Sequence, residues 1–376
     1  TQVVKGAAGV AYLMKKNKID VLAGHGRLVG PHRVSVTQDS AVEQYEAKAI
    51  IVATGSVPRR IPSITIDGTH FVTSDEILEL KSPPKSLIIL GAGAVGCEFA
   101  SVYSRFGTAC TIVEMQDNLV PVEDVDVSVE YEKLLKKRGI TSYTRTKFVR
   151  SEVKQGVVHA TLQQGDKTWI EQAAMVLVAI GRAPVTEDVG LDAVGVTRDK
   201  GGYIEIDGLM RTAVPSVYAI GDVVRTPWLA HVASAEAVVA ADHIAGKHVV
   251  PLDYNKVPGC TYSDPEIGSI GLTERGAIAQ GYTVKVGKFP FSAVAKARIL
   301  GESDGFVKIV SDAKYDEVLG VHIIGPHATD LIAEACVALR LECTTEELAH
   351  TIHAHPTLSE SVLEAAHATL GRPMHL

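Results

Sequence analysis

The sequence lacks most of the signals of a membrane protein, a nucleic-acid binder or a zinc protein. No stretch reaches the run of about eighteen apolar residues that a membrane-spanning helix needs. Even LIAEACVALRL is interrupted by Glu334 and Arg340. Basic residues number 37 against 44 acidic ones, and the formal net charge of -7 argues against binding to nucleic acid or to an anionic membrane surface. The five cysteines, Cys97, Cys110, Cys260, Cys336 and Cys343, form an odd set with no CxxC or CxxxxC spacing. This removes the usual patterns for zinc and for a local redox disulfide, and no metal site is expected. Cys336 and Cys343 are expected on one helix, roughly 10 Å apart along its axis and too far to bridge. All five read as buried reduced thiols. Secretory and transit patterns, internal repeats and low-complexity tracts are also missing. The chain opens at Thr1 in TQVVKGAAGVAYLMKKNKIDVLAG, which reads as helix then strand, as if it began inside a domain.

What is present is a chain of 376 residues, 46% hydrophobic and 22% charged, long enough for two or three domains with sizeable cores. Four apolar runs close on glycine: AIIVATGS (49–56), LIILGAGAVG (87–96), MVLVAIGR (175–182) and SVYAIGDV (216–223). Short β-branched runs bounded by glycine read as buried strands, and helical periodicities such as AVGCEFASVYSRFG lie between them, so the class is α/β. SVPRRIPSITIDG and KSPPKS are proline-rich hinges, which mark residues 58–183 as a segment inserted into another domain. Past residue 254 the pattern changes to VPGCTYSDPEIGSIGLT, the strands GFVKIVSD and EVLGVHIIG, and the helix ATDLIAEACVALRL, an α+β domain of its own.

In LIILGAGAVGCEFA a strand runs into Gly91, Gly93 and Gly96 and then into a helix, and the next strand, ACTIVE, ends at Glu114. In that order Gly91 permits the tight turn, Gly93 lets backbone approach a pyrophosphate, and Gly96 allows close helix packing. The carboxylate of Glu114 can accept both ribose hydroxyls and repels a 2′-phosphate. The following MQDN carries no cation to reverse this, so NAD is expected rather than NADP. A second candidate, GHGRLVG (24–30), is followed by PHRVSV instead of a helix, and reads as a strand end and hairpin turn. Asp222 in AIGDV lies just past a buried strand, where an acid serves either a ligand hydroxyl or a helix N-cap. A helix starting in WLAHVASAEAVVAADHIAG offers its amino end to a negative group.

The last chemical-looking stretch is HAHPTLSE, residues 353–360. Pro356 restricts His355 to extended backbone or a cis bond. A carboxylate from Glu360 on Nδ1 would fix the tautomer and leave Nε2 to exchange protons near neutral pH. The same spacing also fits a capping box, with Thr357 as N-cap and Glu360 in the first turn. Nothing nearby in the sequence orients His353.

With these residues in place, the chain resembles the dihydrolipoamide dehydrogenases, within the flavin-dependent pyridine nucleotide–disulfide oxidoreductases. ATGS, GAGAVGCE, AIGRAP, YAIGDV, LAHVASAEA, YSDPEIGSIGLTE, GVHIIGP and HAHPTLSE occur in family order along essentially the whole chain. The resemblance implies two Rossmann-like nucleotide-binding domains and a C-terminal α+β dimerisation domain. The FAD-binding domain is represented by 1–57, an inserted NAD-binding domain by 58–183, a central segment returning to the FAD domain by 184–253, and the dimerisation domain by 254–376.

Residue by residue, the resemblance implies His355 as acid/base, acting on the partner subunit's dithiol site, with Glu360 orienting it. NAD is implied at Gly91, Ala92, Gly93, Ala94, Val95, Gly96, Cys97, Glu98 and Glu114, with Gly181 and Phe148 near its adenosine end. FAD is implied at Gly26, Thr54, Gly55, Ser56, Asp222, Trp228, Leu229, Ala230 and His231. The implied activity is NAD-linked oxidation of dihydrolipoamide through a redox disulfide and FAD, by a homodimer serving the lipoyl domains of 2-oxo acid dehydrogenase or glycine-cleavage components. Bacterial cytoplasm is the first expected location and mitochondrial matrix the second. One departure stands out: the family's first FAD fingerprint and its CxxxxC disulfide belong upstream of Thr1, so the FAD domain is expected to be incomplete in this sequence. A non-catalytic NAD-binding and dimerisation module is therefore the rival from another class. Glutathione- and mercuric-reductase-like activities are disfavoured by Glu114 and HAHPTLSE.

Overall fold

In the computed structural model, which describes residues 2–375, the chain divides into two compact units. One comprises Thr1–Val57 with Ala183–Leu252, the other Pro58–Arg182 with Asp253–Leu376.

In the first unit, helix Gln2–Lys16 precedes an antiparallel sheet of His25–Gly30, Arg33–Gln38 and Ala41–Glu46. GHGRLVG is therefore a strand leading into a hairpin turn, as its flanks require. Strand Ile50–Val52 pairs in parallel with Val217–Ala219, over a core that includes Leu28, Val52, Leu191 and Val223. The strand expected after the first helix does not form. Ile19, Val21 and Leu22 are 51%, 72% and 47% exposed, and a strand exists only where a neighbour takes its amides and carbonyls.

Among the described residues, the second unit holds three sheets of its own. The first is parallel, in the order Phe71–Val72, Met175–Val178, Ser86–Leu90, Ala109–Val113, Thr141–Tyr143. Its central strands, Met175–Val178 and Ser86–Leu90, read as nearly continuous apolar runs because both faces are covered. Leu87 and Ile89 pack with Cys97 and Ala100 of helix Ala94–Arg105 and with Tyr131 and Leu135 of helix Val125–Lys137. Ile88 and Leu90 face Val158, Ala160 and Leu162 of an antiparallel three-stranded sheet, Lys147–Lys154, Val157–Gln164, Lys167–Ala173. The third sheet is antiparallel: Gly259–Thr261, Glu266–Gly271, Val318–Gly325, Phe306–Asp312, Val284–Pro290. Helices Ala328–Arg340 and Glu360–Thr369 cover it through Ile332, Ala335, Val362 and Ala366. Cys336 lies on the first of these helices, but Cys343 falls beyond its end, which corrects the shared-helix expectation. All five cysteines are free.

Buried charge ties strand Phe306–Asp312 to the start of helix Val125–Lys137 and to helix Glu274–Ala279. Lys308, 2% exposed, places Nζ 2.8 Å from Asp124, 3.1 Å from Asp126 and 2.7 Å from Glu274. Beside it, His322 donates Nε2–H to the Leu272 carbonyl at 3.0 Å and buries an Nδ1 lone pair without a partner. Burial holds this imidazole below its ordinary pKa, so it stays neutral in the fold while the unfolded chain binds a proton near pH 6.5. Its contribution is then present above the unfolded value and is lost as pH falls below it. Urea midpoints are expected to drop between about pH 7.5 and 5, and His322→Gln to flatten that slope. An equally steep slope in the variant would assign it elsewhere.

No helix among the described residues is long and apolar enough to cross a membrane.

Candidate active site

The glycine loop joins strand Ser86–Leu90 to helix Ala94–Arg105, whose N-cap is Gly93, with no side chain bonded to its first-turn amides. A β-carbon on Gly91, which has φ +102°, would stand 2.4 Å from the Ala179 carbonyl oxygen, and one on Gly96 would stand 2.0 Å from that of Gly91. At Gly93 nothing lies within 4 Å of the same position. Two glycines are required by packing and the third leaves an open face before uncapped amides, a combination that fits a pyrophosphate.

Around this loop the expected residues divide. Ala92 and Cys97 are wholly buried, and burial pushes the Cys97 thiol up to about 12, so it packs and does not react. Val95 lies at the surface, 36% exposed. Glu98 accepts the Tyr262 N–H at 2.9 Å, and burial raises its pKa. Glu114, 8% exposed, accepts the Ala92 N–H on one oxygen and the Gln116 N–H on the other, both at 2.7 Å. The acid that ends the second strand is thus tied to the loop it follows. Gly181, with φ +108°, uses its carbonyl to accept the Arg59 N–H at 2.9 Å. Phe148 packs half-buried on the core under the antiparallel sheet.

In the other unit, Ser56 donates to Asp222 Oδ2 at 2.5 Å, and Thr54 donates to the Val185 carbonyl at 2.5 Å beside Gly55, whose φ is +73°. Asp222 sits in a tight turn, Gly221–Val223, and is not the N-cap of the next helix. That place belongs to Leu229, which opens Ala230–Ile244 without a side-chain cap, and Ala230 and His231 begin its first turn. Trp228 donates to the Val224 carbonyl at 3.3 Å and stacks on Tyr203 with centroids 5.4 Å apart. Gly26 lies mid-strand opposite Val36 with nothing within 4 Å of a β-carbon position, so a planar group can approach its backbone. Sequence reasoning missed Glu236, wholly buried, whose carboxylate accepts the Gly221 N–H at 2.6 Å and braces the Asp222 turn. The available signal was a single acid inside the apolar helix VASAEAVVAA.

At the carboxyl end, His355 Nδ1 lies 2.8 Å from one Glu360 oxygen, and the other accepts the Thr357 N–H at 2.8 Å. Because the carboxylate accepts, Nδ1 carries the proton and Nε2 presents a lone pair on a ring 70% exposed. Burial pushes Glu360 up, but the Thr357 amide and the imidazole together hold it below its ordinary value, so it stays ionised. The capping box is only half built. Glu360 reaches back, whereas the Thr357 hydroxyl donates to the Ala354 carbonyl at 2.7 Å and the helix takes Ser359 as its N-cap. His353 is also not as expected. Its ring is 6% exposed, with Nε2 2.7 Å from Glu334 and Nδ1 2.9 Å from the Thr351 carbonyl.

Residues 1–237 match the pyridine nucleotide-disulphide oxidoreductase model, and residues 257–366 match the dimerisation domain of the same group. The chain is 44% identical to the dihydrolipoyl dehydrogenase of Bacillus subtilis, over 99% of this chain and 80% of that one. It is 45% identical to the dihydrolipoyl dehydrogenase of Chlorobaculum tepidum, over 96% and 78%. Among solved structures, LpdA of Mycobacterium tuberculosis superposes with a TM-score of 0.90 at 30% identity, covering 96% of this chain and 80% of that one. With a nucleotide-type glycine loop, a histidine–carboxylate pair and a dimerisation domain in one chain, the protein belongs to the pyridine nucleotide-disulphide oxidoreductase family.

Proposed function

We propose that this protein takes part in the NAD-linked oxidation of dihydrolipoamide, with His355 as the proton acceptor and Glu360 as the group that orients it. The observation that carries this is the 2.8 Å contact of Nδ1 with the Glu360 carboxylate on an exposed ring, which places a proton on Nδ1 and leaves Nε2 toward a substrate thiol. Removing the thiol proton makes the thiolate that attacks a disulfide, and an imidazole working near neutral pH suits the task. Bound FAD supplies the relay that carries the electron pair from dithiol to NAD.

The residues support both nucleotides. NAD is assigned to residues 58–183, with the open face at Gly93 for its pyrophosphate and Glu114 toward its ribose. FAD is assigned to residues 1–57 and 184–253, with Gly26, Thr54, Asp222 and the amino end of helix Ala230–Ile244. Residues 254–376 form the dimerisation domain, so the base serves a second copy of the chain, and lipoyl domains of larger complexes deliver the substrate. The bacterial relatives favour a bacterial cytoplasm over a mitochondrial matrix. Burial raises the pKa of all five cysteines, and none pairs with another. These residues therefore account for nucleotide binding and proton transfer, and no pair among them supplies the electron-accepting disulfide.

Calorimetric titration tests the nucleotide assignment. NADH is expected to bind at least tenfold more tightly than NADPH, and Glu114→Gln to weaken NADH by roughly tenfold while narrowing the difference. Equal affinity of the wild type for both nucleotides would sink it. Turnover of glutathione or mercuric ion by the holoenzyme, with none of dihydrolipoamide, would overturn the substrate assignment.

A further inference from the structure

His353 has no part in the chemistry above, yet it is among the most confined ionisable groups of the C-terminal sheet and its helices. Its ring is 6% exposed, and both nitrogens face acceptors, a carboxylate oxygen of Glu334 at 2.7 Å and the Thr351 carbonyl at 2.9 Å. A neutral imidazole has one N–H and one lone pair, so one of these contacts would set a lone pair against an acceptor in a buried place. Only the doubly protonated ring satisfies both.

We propose that His353 is a positioning residue: as an imidazolium clamped between Glu334 and Thr351, it ties the loop bearing His355 to helix Ala328–Arg340 and sets where the base stands. The inference rests on the dihydrolipoamide reading only in taking His355 as the base.

The loop needs such a tie. Among the described residues, no backbone–backbone hydrogen bond involves residues 352–356, and Ile352 is 97% exposed. Side chains hold the segment instead: Thr357 on the Ala354 carbonyl, Glu360 on the Thr357 amide and on His355, and His353 on Glu334. Of these, only the His353–Glu334 contact reaches outside residues 351–360. The charged groups that act on the ring agree with the cation. The Glu334 hydrogen bond lifts its pKa above the ordinary value against the opposing effect of burial, and the charges of Glu334 and Glu360 both favour the proton.

Long-range proton–nitrogen NMR on histidine-labelled chain reads the state directly. At about pH 7.5, His353 is expected with both ring nitrogens protonated and His355 as a single tautomer, protonated on Nδ1. Glu334→Gln keeps the side-chain shape and removes the charge. It is expected to neutralise His353, to mix the His355 tautomers, and to lower kcat of the holoenzyme for dihydrolipoamide by roughly tenfold with little change in KM. His353→Gln is expected to do the same, and neither variant should slow hydride transfer from NADH to an artificial acceptor. A neutral His353 in the wild type, or variants with an undisturbed His355 tautomer and full turnover, would overturn the clamp. Should His355→Gln itself leave dihydrolipoamide turnover intact, the base assignment falls, while the His353 spectrum still decides whether the clamp exists.

Discussion

Replacing Lys308 by methionine is expected to destabilise the second unit by about 3 to 5 kcal/mol, read as a lower urea midpoint with an unchanged slope. The lysine occupies the middle of strand Phe306–Asp312, every position of which is buried, and its ammonium is the only cation within ion-pair distance of Asp124 among the described residues. Methionine fills most of the same volume, so little of the cost comes from a cavity. The cost comes from Asp124, 3% exposed, left ionised in a site closed to water.

Asp124 cannot simply turn away. Its carboxylate accepts the Asp126 N–H at 3.0 Å as the N-cap of helix Val125–Lys137, and the Glu274 N–H at 3.1 Å from the other half of the unit. These two bonds soften the loss but hold the charge where it is. Asp124→Asn keeps one acceptor oxygen for the Asp126 N–H, sets its NH2 against the Glu274 N–H, and leaves Lys308 with Asp126 and Glu274, so its cost is expected to be smaller, about 1 to 3 kcal/mol. If the asparagine variant proved the more damaging, capping rather than ion pairing would be the main work of this carboxylate. The consequence reaches the nucleotide loop. Val120, four residues before Asp124, donates to the Ala92 carbonyl at 2.8 Å, so the same segment that meets Lys308 also braces the turn at Gly91–Gly93.

The features visible in the sequence are those whose causes are local. A β-branched run, three glycines and a helix lie within twenty residues, and each glycine's role follows from steric rules that need no distant partner. The same holds for His355 and Glu360, five apart, although local spacing could not choose between a dyad and a capping box. Both draw on the same carboxylate, and the structure lets Glu360 serve the histidine and the Thr357 amide at once. Features that stayed hidden depend on partners far along the chain. Lys308 meets Asp124 across 184 residues, Tyr262 meets Glu98 across 164, and Ser56 meets Asp222 across 166. His353 appeared to lack an orienting group because Glu334, nineteen residues earlier, is brought to it only by the packing of helix Ala328–Arg340. The strand expected at residues 19–22 fails for the converse reason: its composition suits a sheet, but among the described residues no strand lies beside it.

The largest expected effect belongs to His355→Gln, which should slow dihydrolipoamide turnover by the holoenzyme by about 10² or more. Glutamine is a fair mimic of the ring in every respect but one. Its amide N–H can still donate to Glu360, its size suits the same space, and the side chain it replaces is 70% exposed, so folding stability should change by no more than about 0.5 kcal/mol. What it lacks is a second ring nitrogen that can take up the substrate's proton. Flavin absorbance and NADH affinity should survive unchanged, because no residue assigned to either nucleotide touches His355, and transfer from NADH to an artificial acceptor should proceed at the wild-type rate. Glu360→Gln should fall between the two, since the imidazole keeps its place but loses the ionised partner that favours the imidazolium formed during transfer. A His355→Gln variant with wild-type dihydrolipoamide turnover would refute the assignment of the base. A loss shared equally with the artificial acceptor would move the histidine's influence from proton transfer to the nucleotide sites. Only a selective loss, with stability and both nucleotides untouched, matches a ring that holds its Nδ1 proton on Glu360 so that Nε2 can take another.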